Sequence, residues 1–401
     1  MIKKEKRQRY LTAVLISLIG LFILIHAIST LIINASTDVI TEDNSRDVST
    51  KCKNIETMST KLQCWEVLFT NILEKKHTAE AFQLISDLST TDATFSSNCH
   101  DFAHRIGEVS ALTYIQQKNI SFPEKASYCG YGFYHGFMGY LLKNKIPVKN
   151  IALLCQQIKK TQPLSVEDAC YHGIGHGSFA LSSSEIRNNP EKAIEKALQT
   201  CEEIEDTTLN VSRCASGIFM EVTSGEYKVK LDQTHPLNLC YQQKERYQIH
   251  CFTQMNGALL AITNNNYIKA ARYIEEIPSD HYAIEAIETL TANYILSTKD
   301  NLKSVVIKCK QLQDRIYISC IRGIALGTLL DGVPEAAFNK AVKYCLHDLD
   351  SEDTKNSCLE YTLQHGKYMY DKNQLDKFCD SLLKEEDFIC DNINIESYNK
   401  Y

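Results

Sequence analysis

The amino-acid sequence predicts an all-α protein whose successive helices are stapled by short disulfides and follow one N-terminal transmembrane helix. The 401 residues include only 7 Pro and 16 Gly, which disfavours the many turns of a β-sandwich or barrel and favours helices joined by short connections. Most of the 16 Cys lie in close pairs, and a long uncharged apolar run follows the first ten residues. With 44% hydrophobic and 23% charged residues, the composition excludes a disordered or collagen-like chain.

The N-terminal segment predicts a membrane anchor and its orientation. Residues 1–10 carry five basic side chains and one acidic one, and we expect them to form a cytoplasmic tail. Residues 11–34 are long enough for a transmembrane signal anchor, because about 20 apolar residues of helix cross a bilayer. The alternative is a cleaved signal peptide, but its apolar region is shorter, about 7–15 residues, and a good small-x-small cleavage site is lacking. Residues 35–50 then form a polar tether, and residues 51–401 an extracytoplasmic helical-repeat domain.

Cysteine content and charge predict the surroundings of this domain. An even number of cysteines on an exported domain implies disulfides and an oxidising compartment, either a periplasm or the secretory lumen of a eukaryote. The basic tail contributes +4 to a net charge of −6, so the rest of the chain carries −10. An acidic body disfavours nucleic acid as a partner. The sequence therefore predicts a single-pass membrane protein that does not bind nucleic acid.

The cysteine spacing predicts the connectivity of the helices. The first cysteine of most pairs follows an apolar helical pattern, and the second opens a new segment rich in small residues. We therefore expect a helix to end at the first cysteine and the next helix to begin at the second, with one disulfide at each junction. The expected pairs are Cys52–Cys64, Cys155–Cys170, Cys201–Cys214, Cys240–Cys251, Cys309–Cys320, Cys345–Cys358 and Cys379–Cys390, together with the more widely spaced Cys99–Cys129.

Second cysteines recur at intervals typical of two-helix repeats, which predicts an α-solenoid. The longer interval between Cys251 and Cys320 predicts a further repeat without cysteines at residues 264–296. In general terms the pattern resembles the disulfide-laced helical-repeat proteins of the TPR, Sel1 or HEAT kind. Because no repeat consensus of those families fits closely, the resemblance implies an architecture and no function.

Five of the twelve histidines lie in three short motifs, CHDFAH, CGYGFYHG and CYHGIGHG, and are candidate metal ligands. Two of the motifs contain pairs at i, i+4 spacing, which places both imidazoles on one helical face. The second and third motifs each carry a histidine six residues after a cysteine, so these two side chains occupy equivalent positions in adjacent repeats. We expect the five imidazoles to converge and to hold one or two divalent metal ions, with Zn, Fe and Cu as candidates. The five residues are His100, His104, His135, His172 and His176.

Two carboxylates accompany these motifs. Glu108 continues the first histidine stripe by one turn, and Glu221 follows Cys214 by seven residues; either is a candidate ligand or general base. The glycines that cluster in the same motifs are costly in helices, and their simplest explanation is close packing of helix backbones. The remaining histidines, including His250 and His365, stand in divergent contexts and are expected to be solvated or locally satisfied.

Two functional hypotheses from different classes follow. The first is a membrane-anchored metalloenzyme, a hydrolase or an oxidoreductase, in which an open coordination position activates water or dioxygen. The second is a non-enzymatic scaffold that binds a protein or peptide partner on the concave face of the solenoid, since solenoids mostly serve binding. A third and simpler alternative is that the His/Gly pattern reflects helix packing alone.

Overall fold

A computed structural model describes residues 50, 52–75, 78–117, 122, 124–158, 162–182, 189–204, 207–223, 230–298 and 300–383 of the protein. Every regular element within these ranges is a helix, which confirms the all-α prediction. In the part of the chain that is described, no helix is long and apolar enough to cross a membrane. The predicted tail, anchor and tether at residues 1–49 lie outside the described residues.

The α-helices are numbered along the chain and their bounds are as follows. They are α1 (Met58–Glu74), α2 (Thr78–Thr91), α3 (Ala93–Gln117), α4 (Gly132–Lys143), α5 (Val148–Ile158), α6 (Leu164–Leu181), α7 (Pro190–Glu202), α8 (Thr208–Thr223), α9 (Asn238–Tyr241), α10 (Glu245–Gln254), α11 (Asn256–Ile262), α12 (Tyr267–Glu275), α13 (Asp280–Thr298), α14 (Leu302–Cys309), α15 (Asp314–Leu329), α16 (Pro334–His347), α17 (Glu352–Met369) and α18 (Lys372–Leu383). A 3₁₀ turn at Glu124–Ser127 precedes α4.

The chain divides into two compact units between Asn71 and Ile72, within α1. In the second unit, an inner row of helices runs α3, α4, α6, α8, α10, α13, α15 and α17, and each helix packs against the next. Outer helices, among them α5, α7, α12, α14 and α16, pack against the outside of this row. The row returns on itself, because α17 also packs against α6. The hydroxyl of Tyr368 on α17 donates a hydrogen bond to the carboxylate of Asp168 on α6.

An outer helix illustrates how the sequence specifies these elements. The side chain of Asn189 caps α7 by accepting a hydrogen bond from the backbone N–H of Lys192 at 3.0 Å, and Pro190 occupies the first helical turn. The buried residues follow at helical spacing, Ala193, Ile194, Ala197, Leu198 and Cys201, and form one apolar stripe. The inner helix α6, covered by neighbours on several sides, is buried around most of its circumference.

Seven of the eight expected disulfides are present between described residues, with Cα–Cα distances from 5.3 to 5.7 Å. In the eighth expected pair, Cys379–Cys390, Cys390 lies outside the described residues. The predicted pairing of nearest neighbours is therefore confirmed for the seven pairs that the structure describes. Residues 264–296, where a repeat without cysteines was expected, contain α12 and most of α13.

The expected helix starts were wrong by nearly two turns. Helices α6, α8, α10, α15 and α17 each begin six residues before their cysteine. In α8, α10 and α17 polar residues are frequent in the first turn, so the apolar pattern that indicates a helix begins only later. Each of these five bridges therefore ends in the second turn of its helix.

Candidate metal centre

The first half of the candidate site is built by the close approach of α3 and α4. Gly132 and Gly136 lie directly against the carbonyl oxygens of His100 and His104, where any Cβ would collide with the α3 backbone. Since only glycine allows this approach, the two α3 imidazoles come next to His135 on α4. The ring centroids of His100 and His104 lie 5.2 and 5.8 Å from that of His135.

Helix α6 adds the other two imidazoles by the same device. A Cβ on Gly173 would come within 2.6 Å of the Tyr134 carbonyl oxygen, so only glycine lets α6 approach α4 this closely. The ring centroids of His172 and His176 then lie 4.9 and 4.8 Å from that of His135. All five predicted histidines are thus brought together, with His135 at the centre. The glycines do serve close packing, as expected, and that packing also assembles the cluster.

Two hydrogen bonds orient rings in this histidine cluster, which we define as His100, His104, His135, His172 and His176. Nδ1 of His100 lies 2.9 Å from the backbone oxygen of Cys129 and therefore donates its proton to it. Nδ1 of His176 lies 2.7 Å from a carboxylate oxygen of Glu221. In a neutral ring these bonds leave Nε2 as the atom with the free lone pair. Carbonyl and carboxylate acceptors of this kind are the usual outer partners of metal-bound imidazoles.

The backbone around Cys129 is held in an uncommon conformation. Cys129, Gly130 and Tyr131 all have positive φ, at 58°, 63° and 63°. For Cys129 and Tyr131 this left-handed conformation costs free energy that the surrounding structure must offset. The Cys99–Cys129 disulfide anchors the turn directly beside His100, and the turn presents the carbonyl that orients that ring.

Burial keeps four of the five imidazoles uncharged. Desolvation, followed by the charges of neighbouring imidazoles, lowers the pKa of His104 to about 3. Burial also lowers the pKa of His100, and it lowers the pKa values of His135 and His172 well below the ordinary 6.5. At neutral pH these four rings are therefore neutral, and each keeps a lone pair that can bind a metal ion.

Two ring nitrogens in the cluster are buried without a hydrogen-bond partner among the described residues, Nδ1 of His135 and Nε2 of His176. A buried polar atom left unpaired costs about 1–3 kcal/mol, and such atoms in native proteins call for an explanation. Two groups of three histidines bring one nitrogen per ring within 4.8 Å of one another. A metal ion bound at the group that contains both His135 and His176 would give these nitrogens the partner they lack.

The cluster forms one wall of an open cavity of about 650 Å³ that is lined by the inner helices. His100, His135 and His172 line it directly. Asp168 and Arg213 form an ion pair on the same wall, and burial raises the pKa of Asp168 to about 6. Further polar side chains come from the helices across the cavity, among them Gln254, Asn256, Asn293, His365 and Tyr368. The volume lies in the range typical of small-molecule sites.

The two candidate carboxylates occupy different positions. Glu221 lies at the cluster, where it holds Nδ1 of His176. Glu108 instead accepts a hydrogen bond from Arg105 at 2.8 Å on a half-exposed face of α3 and belongs to neither group of three histidines. The geometry therefore gives Glu221 an orienting position and gives Glu108 a surface ion pair.

Sequence reasoning missed the rest of the cavity wall. His250 and His365 both line the cavity, and burial lowers the pKa of each to about 4. His365 follows Cys358 by seven residues, the register that Glu221 has after Cys214, so extending the alignment of repeats could have found it. Asp168 and Arg213 had no such signal, because an ion pair between neighbouring helices looks like any surface pair in sequence. No protein-family model, curated protein or solved structure matches this chain, so its function has to be argued from its own residues.

Proposed function

We propose that the histidine cluster is a metal centre and that the protein is a metal-dependent enzyme acting on a small molecule in the adjoining cavity. Two unpaired buried nitrogens carry the proposal, Nδ1 of His135 and Nε2 of His176, because a bound ion gives both a partner. Neutral imidazole ligands suit Zn, Cu or Fe. The cysteines of the seven bridges do not offer thiolate ligands, because their sulfur atoms are bonded to each other in disulfides.

Three imidazoles per ion leave a coordination position open, which is the arrangement of catalytic rather than structural sites. His100, His135 and His172 also line the cavity, so an ion held by these residues would lie at the cavity wall. A zinc ion there would activate water for hydrolysis, and copper or iron would support oxidation of the bound molecule. Glu221 supports either reaction by fixing the tautomer of His176.

The cavity favours a polar small molecule as substrate. The Arg213–Asp168 pair offers charged groups on the wall that also carries His172, and amide side chains of α10, α11 and α13 offer donors and acceptors opposite. Bound against this wall, a substrate would lie beside the metal ion.

The alternative function is a non-enzymatic scaffold that captures a peptide. The observation that favours it is the number of helices that contribute side chains to one cavity.

The architecture and location belong to the same proposal. The inner row of helices, with one bridge at most junctions, supports an α-solenoid. The basic and apolar N-terminal segments support a single membrane anchor, with the disulfide-bonded body in a periplasm or secretory lumen. A protease added from outside should then digest the body while a tag at residue 1 stays protected; a soluble product that lacks residues 1–34 would favour a cleaved signal instead.

Elemental analysis of the full chain, purified in detergent, tests the metal centre. We expect near-stoichiometric Zn, Cu or Fe, and we expect the double variant His172→Ala/His176→Ala to bind less metal than the wild type while keeping its helicity and its disulfides. The matched control is His235→Ala, because the His235 side chain is 70% exposed and lies outside the cluster. A metal-free chain that cannot be loaded with any of the three ions would overturn the proposal.

A further inference from the structure

The arrangement of the five imidazoles constrains how many ions they hold. The structure groups them as two sets of three, His100 with His104 and His135, and His135 with His172 and His176. Nitrogens that share one ion at about 2.0–2.1 Å each cannot lie much more than about 4 Å apart. Among the described residues, the ligand nitrogens within 4.8 Å of one another form only these two groups of three, and no group contains all five rings. One ion therefore cannot take all five rings in this geometry.

His135 is the member that both sets share, and its hydrogen bonding differs from that of three of its four neighbours. His100, His172 and His176 each commit one ring nitrogen to a neighbour: a carbonyl oxygen, the sulfur of Met220 or a carboxylate. Neither nitrogen of His135 makes a hydrogen bond to a described residue, and its Nδ1 is fully buried. Both nitrogens of its ring are therefore available, and they point away from different edges of the imidazole.

We propose that His135 bridges two metal ions through its two ring nitrogens, one ion held also by His100 and His104 and the other by His172 and His176. This inference rests on the proposed metal centre and deepens it. Neutral His135 offers one lone pair to the first ion. The second ion replaces the remaining N–H proton, which passes to solvent, and no group is oxidised or reduced in this step.

The surroundings of each set support separate occupation. The first set has its outer partner in the Cys129 carbonyl, which the disulfide to Cys99 holds in place. The second set has its outer partner in Glu221, whose negative charge offsets part of the added positive charge. The deprotonated ring of His135 would stand between the two cations and reduce their repulsion.

Metal titration of the full chain in detergent, stripped with a chelator and reloaded with Cu²⁺ alone, tests the bridge. We expect two ions per wild-type chain. His104→Ala and His172→Ala each remove one ring from one set only and should each leave one tightly bound ion. His135→Ala should lose both, and the exposed control His235→Ala should keep both.

Electron paramagnetic resonance of the same samples distinguishes a bridge from two independent sites. Two copper ions joined by one imidazole should couple and lose signal, and His104→Ala should restore the full signal of one isolated ion. Two uncoupled copper signals in the wild type would overturn the bridge. The bridge would also be overturned if the wild type bound a single ion and either His104→Ala or His172→Ala abolished its binding. That result would still support the metal centre. No binding of Cu²⁺, and none of zinc or iron when either replaces it, would overturn the metal centre itself.

Discussion

Two regions of the inner row use the same packing device for different ends. At the histidine cluster, Gly136 of α4 lies against the carbonyl oxygen of His104 on α3. Across the unit, Gly323 of α15 lies against the carbonyl oxygen of Glu288 on α13. Both pairs of helices approach as closely as glycine permits, so close packing alone does not distinguish a functional region from a structural one.

The difference lies in how the buried polar groups are satisfied. The second region, which we call the carboxyl cluster, consists of Glu288, Arg322, Tyr361 and His365. There the Tyr361 hydroxyl donates to the Glu288 carboxyl, and the His365 ring stacks on Tyr361 with centroids 4.1 Å apart. The histidine cluster contains unpaired buried nitrogens instead. A satisfied network rigidifies the fold, whereas an unsatisfied one signals a missing ligand.

The largest effect should come from removing one disulfide in each region. The first variant replaces Cys99 and Cys129 by Ala, and the second replaces Cys345 and Cys358 by Ala. Each should lower the free energy of unfolding by about 2–4 kcal/mol. The loss should be larger for the first variant, because its bridge closes a loop of 30 residues and the other closes one of 13. Only the first variant should also lose metal affinity, because its bridge holds the carbonyl that orients His100. Denaturant unfolding and metal titration measure the two effects. Equal metal affinity in both variants would contradict the role given to this turn.

Adding one methyl group to the glycines should have the next largest effect. Gly136→Ala and Gly323→Ala each force a Cβ into a backbone carbonyl and should cost about 1–3 kcal/mol of stability. Only Gly136→Ala should weaken metal binding. Gly139→Ala is the matched control, since its Cβ would meet the nearest neighbouring atom at an ordinary 3.8 Å and alanine favours the helix. If Gly136→Ala kept both its stability and its affinity, glycine packing would not be what assembles the cluster.

Features that depend on local sequence were predicted more fully than features that depend on long-range contacts. Helices, nearest-neighbour disulfides and the identity of the five histidines follow from spacing along the chain, because periodicity and repeat register are local properties. The return of α17 to α6 does not, since Tyr368 and Asp168 lie 200 residues apart and neither stands in a motif. For the same reason the cavity and the burial of Glu288 could not be inferred.

One buried glutamate, Glu221, contacts the histidine cluster, and another, Glu288, belongs to the carboxyl cluster; the two should respond differently to substitution. Glu221→Ala removes the acceptor of the His176 Nδ1 proton and should weaken metal binding by about 10–100-fold. Glu221→Gln keeps an acceptor oxygen and should recover much of the affinity, as an orienting role requires. Glu288→Gln, in the carboxyl cluster, should leave metal binding unchanged. Metal competition titrations compare the three; equal losses from Glu221→Ala and Glu221→Gln would point to the charge instead of the hydrogen bond.

The smallest effect concerns the pH dependence of stability in the carboxyl cluster. Burial raises the pKa of Glu288 to about 8 from an ordinary 4.5, so the folded protein keeps this proton at pH values where the unfolded chain has released it. A raised pKa stabilises the fold below pH 4.5, and that contribution is lost as the pH rises towards 8, with a slope of at most about 1.4 kcal/mol per pH unit. The lowered pKa values of the histidine cluster act in the opposite direction, below pH 6.5.

Between pH 6.5 and 8, the unfolding free energy of the wild type should therefore fall as the pH rises, and it should fall less in Glu288→Gln. Glu276→Gln is the control, because Glu276 is exposed, and it should show the same fall as the wild type. Every other titrating group is common to both proteins, so parallel wild-type and Glu288→Gln curves would mean that Glu288 is ionised in the fold. The carboxyl cluster would then not be a satisfied neutral network, and its contrast with the unpaired nitrogens of the histidine cluster would fail.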